Sequence, residues 1–405
     1  MKTICIAGTL DTKGREFQYV KELIESLGLG AFTVHTGVYE PAFPPDVGND
    51  EVAAAAGYDI GEIAGRHDRA YATEAMSEGM EKLIPRLYEQ GKFDGILSFG
   101  GSGGTSLVTP AMRALPIGVP KLMVSTMASG NVSQYVGTSD ILMMPSIVDV
   151  SGLNSFSTKI FSNAVFAMAG MVSFESKQQI EHKPLVAATM FGVTTPCITR
   201  AQEYLEQRGY EVLVFHATGA GGQSMEALIN GGFIKGVLDL TTTEWCDEIV
   251  GGVLNAGPDR CSAAPKNGVP QVVSVGALDM VNFGPWDTVP QQFAGRNLYR
   301  HNPTVTLMRT TAEECKQIGG AIAEKLNLSQ PGKTVLMLPL GGVSGIDAPG
   351  QPFYGEAEDK ALYDTLRGRV DQSKVDIIER PENINDPAFA DAAAQKLIDL
   401  MEAGS

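Results

Sequence analysis

A chain of 405 residues, 43% apolar and 19% charged, holds material for roughly two domains of about 100–200 residues each, with buried cores. The formal charge of −16 and the absence of any Lys/Arg run exclude a polyanion as the main partner, so no nucleic acid is expected. The opening MKTICIAGTLDTK is too short an apolar run for a signal peptide, and neither CxxC nor HExxH occurs; the expectation is a cytoplasmic protein with no membrane partner and no zinc site.

Residues 4–7 form an apolar run ending in Gly8-Thr9, which predicts a fully buried strand. Phe17, Val20, Leu23, Ile24 and Leu27 follow at helical spacing, and residues 31–35 supply the next strand, so a βαβ unit opens the chain. Polar and alanine-rich helical material over 51–89 leads to a strand at 93–99. That strand runs into Gly100-Gly101-Ser102-Gly103-Gly104-Thr105 and a helix to about residue 115. Strands at 120–126 and 141–145 and a helix ending near residue 174 complete a first domain. The polar stretch 175–184 closes on a helix-stopping proline and puts the junction near residue 182, giving domains 1–182 and 183–405.

The second half repeats the theme. Strands are predicted at 185–190, 211–216, 234–240 and 335–338, and Ser224-Met225-Glu226-Ala227-Leu228-Ile229 echoes Gly79-Met80-Glu81-Lys82-Leu83-Ile84. Alternating strands and helices in both halves predict an α/β fold: two Rossmann-like, doubly wound domains with mostly parallel sheets, related by duplication.

Two loops in the first domain invite an anion. Gly8-Thr9-Leu10-Asp11-Thr12-Lys13 and Gly100-Gly101-Ser102-Gly103-Gly104-Thr105 each follow an apolar run and open a helix, whose first amides point outward. Lys13 offers a mobile positive charge, Thr9, Thr12, Ser102 and Thr105 offer hydroxyls, and Asp11 a carboxylate for Mg²⁺. The competing reading is that these glycines only make tight strand-to-helix turns. Neither loop is GxxxxGK[ST], and the end of the second strand carries His35-Thr36 where a dinucleotide site wants an acid, which disfavours NAD. Gly100-Gly101-Ser102-Gly103-Gly104 also satisfies GxSxG, with Asp279 and His301 as later partners, but a glycine-saturated loop meets that pattern by accident.

Those loops, together with Met143-Met144-Pro145-Ser146-Ile147-Val148-Asp149-Val150-Ser151-Gly152-Leu153-Asn154, resemble a widespread bacterial family. That family takes in the N-terminal region of the tomato mosaic virus resistance protein. The resemblance continues through Asp239-Leu240-Thr241-Thr242-Thr243-Glu244-Trp245, Gly276-Ala277-Leu278-Asp279, His301-Asn302-Pro303-Thr304 and Pro339-Leu340-Gly341-Gly342-Val343-Ser344, nearly the whole chain. It implies a pair of Rossmann-like domains and ATP as the ligand, bound through loops that Asp11, Lys13, Ser102 and Thr105 match. Where the family pattern often has an acid suited to a ribose, this chain has His35.

The second half is dense in polar residues set in apolar surroundings. His301 is the candidate for acid–base work, oriented by Asp279 or Glu244, and Arg296 or Arg309 would clamp a carboxylate or phosphate. His216, before Gly219-Ala220-Gly221-Gly222, is a further candidate. The competing reading makes these residues loop caps and buried ion pairs. Three functions stay open: an ATP-binding protein acting on a small anionic metabolite at an interdomain cleft, a hydrolase or carbon–carbon lyase using the second rim without nucleotide turnover, and a non-catalytic nucleotide-responsive binding protein. A homo-oligomer is expected.

Overall fold

Apolar runs that end in glycine or small polar residues become parallel strands in both halves of the chain. A computed structural model describes residues 1–174 and 183–403, so the junction expected near residue 182 lies outside the described residues. The chain divides into two units, Met1–Gln179 and Ile180–Ser405.

In the first unit the strands are β1 (Thr3–Gly8), β2 (Gly30–His35), β3 (Gly95–Gly100), β4 (Lys121–Ser125) and β5 (Leu142–Pro145). They pair in parallel in the order β2-β1-β3-β4-β5. Alternation sends Cys5, Ala7, Val34, Ile96 and Met123 to one face, under Met76, Met80, Ile84 and Met112. It sends Ile4, Ile6, Leu97, Phe99 and Val124 to the other, under Phe17, Val20, Phe161 and Met168. Both faces are covered, which is why these strands read as unbroken apolar runs. The helix Gly14–Ser26 after β1 and the helix Ser102–Ala114 after β3 pack on opposite faces. A doubly wound sheet opens a crevice where neighbouring connections part in this way.

The helical material expected over 51–89 is three helices, Asn49–Ala55, Ile60–Gly65 and Arg69–Glu89. Left-handed Gly57 and His67 interrupt it, and Asp59 and Asp68 cap the restarts by accepting backbone N–H bonds.

In the second unit the strands are β6 (Leu185–Met190), β7 (Glu211–His216), β8 (Gly236–Thr241), β9 (Gln271–Gly276), β10 (Met280–Phe283), β11 (Leu298–Asn302), β12 (Val305–Arg309), β13 (Thr334–Pro339) and β14 (Val375–Arg380). The main sheet is parallel, ordered β14-β13-β9-β8-β6-β7. Counted from β6, its first five strands follow the order of the first unit, with β14 added. The two echoing segments lie in equivalent helices, Arg69–Glu89 before β3 and Ala220–Asn230 before β8. Between β9 and β13 the chain makes an antiparallel sheet, β10-β12-β11, that the sequence reading did not anticipate.

All five cysteines are buried free thiols, Cys5 in the first unit and the other four in the second. Among the described residues no helix is long and apolar enough to cross a membrane.

Candidate functional site

The crevice between the connections after β1 and β3 is a cleft of about 780 Å³, within the range of small-molecule sites. Its lining includes Gly8, Thr9, Asp11, Thr12, Lys13, Gly101, Ser102, Gly103 and Gly104, so most of the two glycine-rich loops faces one space.

The second loop supplies donors. The first helical bond of Ser102–Ala114 runs from Thr105 N–H to Gly101 O, 3.0 Å. The amides of Ser102, Gly103 and Gly104 lie ahead of it and meet no acceptor among the described residues. Glycine here is not forced by the backbone, because none of these positions has a positive φ. Nor is it forced by crowding. A Cβ on Gly101 would come no closer than 3.7 Å to Thr126 Oγ1, one on Gly104 3.7 Å from Phe99 O, and one on Gly103 would touch only the end of Arg69, 3.1 Å away. Each helical glycine costs about 0.8–1.0 kcal/mol against alanine, so the run calls for another reason, and close approach of a ligand to the backbone is one. Gly100 differs, since its Cβ would press on Gly104 Cα at 3.0 Å.

Thr105 faces away. Its buried hydroxyl donates to Gly101 O at 2.8 Å and pairs with Ser125 Oγ at 2.6 Å. Neither Thr105 nor Gly100 lines the cleft, so both shape the turn rather than offer a contact.

The first loop is largely tied up. Thr12 and Lys13 amides donate to Thr9 O, and Thr12 Oγ1 donates to Thr9 Oγ1 at 2.8 Å. The expectation of a mobile Lys13 charge is corrected: its ammonium donates to Val150 O. Asp11 accepts from Thr12 N–H at 2.7 Å and Tyr39 N–H at 3.2 Å, one on each oxygen. Its carboxylate therefore holds two loops together before it holds any cation. Among the described residues no group of three or more His, Cys, Asp or Glu side chains forms a metal site.

His35 explains the missing acid at the end of β2. The buried ring accepts from Leu10 N–H at 3.2 Å and Gly37 N–H at 3.3 Å on Nδ1, and its Nε2–H donates to Tyr39 O at 2.8 Å. A carbonyl only accepts and an amide N–H only donates, so the tautomer is set by its neighbours. His35 braces both rims of the cleft and offers nothing to a ligand.

Three lining groups escaped the sequence reading. Arg69, first residue of its helix, is exposed beside Gly103 and has no ion-pair partner among the described residues. Thr36 and Ser98, no more than 1% exposed, line the cleft, and neither Thr36 Oγ1 nor Ser98 Oγ has a hydrogen-bond partner among the described residues. Alternation could have placed Ser98 on this face, but no local pattern marks a hydroxyl as unpartnered. Ile63, Leu107 and Val108 give the cleft an apolar wall.

In the second unit the candidate catalytic residues are not brought together. His301 is exposed on β11, with Tyr299 as a ring neighbour at 6.5 Å. Arg296 is held by Glu314 through two bonds of 3.0 and 2.7 Å. Asp279 is buried and accepts from Ser344 Oγ at 2.8 Å. Glu244 Oε1 accepts from Gly219 N–H at 2.7 Å and Gly222 N–H at 3.0 Å, and Oε2 accepts from Arg260 at 2.6 Å. The expectation that Glu244 or Asp279 orients His301 is thereby corrected: each carboxylate is bound by other buried groups.

Arg260, unnoticed in the sequence, is the hub of this interior. It also bonds Asp239 through both terminal nitrogens at 2.5 and 2.7 Å. Arg309 is a second hub, 2.7 Å from Asp359 and 3.6 Å from Asp347. Burial pushes Asp279 and Asp359 up to about 7 despite Arg309, and Asp347 nearby adds to the rise. Burial, with the nearby Glu244 charge adding to it, pushes Asp247 up to about 7 against three N–H donors from Asn282 and Leu254.

Relatives match this chain in sequence along nearly its whole length. The family model described as "Uncharacterised protein family (UPF0261) N-terminal domain" matches residues 2–177, and its C-terminal-domain counterpart matches residues 183–401. A UPF0261 protein of Clostridium tetani is 56% identical over 402 residues, covering 99% of each chain, and one of Rhizobium meliloti is 45% identical with the same coverage. The ToMV resistance protein Tm-1 of Solanum lycopersicum is 40% identical over 422 residues, taking in 98% of this chain and 56% of the tomato protein. Among solved structures, a UDP-GlcNAc 2-epimerase of Neisseria meningitidis aligns over 67% of this chain and 82% of its own, at 11% identity and a TM-score of 0.23. With both halves matched by its two domain models, the chain belongs to the UPF0261 family.

Proposed function

We propose that the first unit binds a nucleotide, ATP foremost, with its phosphates over the amides of Ser102, Gly103 and Gly104 and its base against the apolar wall. The observation that carries this reading is the set of three helix-start amides, of Ser102, Gly103 and Gly104, that meet no acceptor among the described residues, two of them on glycines that neither backbone conformation nor crowding requires. Such amides, with the helix dipole behind them, favour bound negative charge. Arg69 beside Gly103 adds a guanidinium whose fork suits phosphate oxygens. A Mg²⁺ ion arriving with the triphosphate would find Asp149 on the lining, exposed and without a hydrogen bond on its carboxylate among the described residues, better placed than Asp11.

Titration calorimetry with Mg-ATP, AMP and NAD tests the site. ATP is expected to bind, and Gly103→Val to abolish binding while the protein stays folded. Unchanged ATP affinity in that variant would remove the loop from the argument. Phosphate release, with and without pooled small anionic metabolites, then separates an ATP-consuming enzyme from a nucleotide-responsive binding protein. The lyase or hydrolase reading loses its support, because Glu244, Asp279, Arg296 and His301 have separate partners.

A further inference from the structure

The floor of the cleft carries two hydroxyls that the phosphate reading does not use. Thr36 follows the end of β2, and Ser98 sits near the end of β3. Both residues are at least 99% buried, both line the cleft, and neither Thr36 Oγ1 nor Ser98 Oγ has a partner among the described residues. A buried hydroxyl left unpaired is unfavourable unless something else satisfies it. Buried Thr105, Thr189 and Thr241 are bonded, whereas Thr243 Oγ1 and Thr306 Oγ1 in the second unit are also unpartnered among the described residues. What sets Thr36 and Ser98 apart is that both orphans lie on one cleft, and that pairing points to a polar ligand.

Their places in the sheet differ in use. Ser98 belongs to the strand that leads into the glycine-rich amides, on the phosphate side. Thr36 lies beyond β1, two strand spacings from β3, or roughly 9.6 Å. That is close to the reach from the outer phosphates of an extended triphosphate to its sugar. In doubly wound nucleotide folds the end of the second strand is where a ribose hydroxyl is read. Here His35 is spent on Leu10, Gly37 and Tyr39, and the side chain left to do it is Thr36.

We infer that Thr36 Oγ1 reads a ribose hydroxyl of the bound nucleotide, so that the site takes ribonucleotides in preference to their deoxy analogues. This rests on the nucleotide reading of the cleft. The threonine hydroxyl donates to or accepts from the sugar, and its neutrality places no second negative charge beside the phosphates.

The test is titration of wild type, Thr36→Val and Ser98→Ala with ATP, 2′-deoxy-ATP and 3′-deoxy-ATP. Wild type should bind at least one deoxy analogue about tenfold more weakly than ATP, the worth of one hydrogen bond at the upper end. Thr36→Val, which keeps the side-chain shape, should close that gap by weakening ATP alone, while Ser98→Ala should preserve it. Equal binding of all three nucleotides by wild type overturns the inference and leaves the nucleotide site standing. A gap erased by Ser98→Ala and kept by Thr36→Val also overturns it. If no nucleotide binds wild type, the site reading itself fails and this inference falls with it.

Discussion

The two units share a winding order and use the pair of helices that flank the third strand in opposite ways. In the second unit, Glu244 opens the helix after the third strand, and its carboxylate reaches the first amides of the helix before that strand, at Gly219 and Gly222. In the first unit, Arg69 opens the helix before the third strand and lies against Gly103, where the next helix begins. One unit brings its own anion to a glycine-rich helix start. The other brings a cation to one, adding to the positive end of the dipole instead of cancelling it. A glycine-rich turn is therefore no more than an invitation to negative charge, and the surrounding fold decides whether the protein itself answers.

The sharpest way to break this contrast is Glu244→Ala. It strips two buried amides of their acceptor and leaves Arg260 short of a carboxylate, so the second unit should lose about 3–5 kcal/mol, read by denaturant unfolding. A variant as stable as wild type would mean that those amides have other partners. Arg69→Ala removes a charge that holds no ion pair among the described residues, so stability should not change. Nucleotide affinity should drop by about 1.5–3 kcal/mol, the worth of charged hydrogen bonds, together with part of its salt dependence. Lost stability with intact affinity would instead make Arg69 structural. Gly104→Ala should raise the stability of the first unit by up to about 1 kcal/mol, because the new methyl meets nothing closer than 3.7 Å, and should weaken ATP binding at the same time. If the glycine serves only the turn, stability falls and ATP affinity stays as it was.

The mildest test concerns the buried acids around Arg309 and Asp247. Asp247, Asp279 and Asp359 sit near 7 when folded, above the ordinary carboxylate value. The folded chain thus holds protons that the unfolded chain releases between about pH 4 and 7. Stability from these groups is therefore present at low pH and is lost as pH rises toward 7. Thermal unfolding of the second unit should shift upward between pH 8 and 5, and Asp279→Asn should flatten the slope. A midpoint that falls over that range in wild type would contradict it.

The fold was largely readable because its strands are covered on both faces. Residues such as Ile4, Ile6, Leu97 and Phe99 then stand in unbroken runs, and glycine marks where they stop. The β10-β12-β11 sheet was not, since its four buried residues Met280–Phe283 resemble one more central strand and do not alternate. Of the candidate site, the loops were visible as glycines between a strand and a helix. Arg69, Thr36 and Ser98 were not, because whether a donor is satisfied depends on which distant residues fold against it. The same blindness made Glu244 and Asp279 look available to a ligand. Polar residues in apolar surroundings signal burial with partners, and Arg260 and Ser344 are partners only in three dimensions.

The sulfur atoms have a use of their own. Cys5 is sealed between the first sheet and its helices, and burial raises its thiol far above the ordinary range. Cys197, Cys246, Cys261 and Cys315 are sealed within the other half. A thiol reagent can reach any of them only when its own half opens, since the thiolate is the reactive form and needs water around it. Timed alkylation followed by mass spectrometry would therefore clock the breathing of each half separately, with natural reporters already built into the chain.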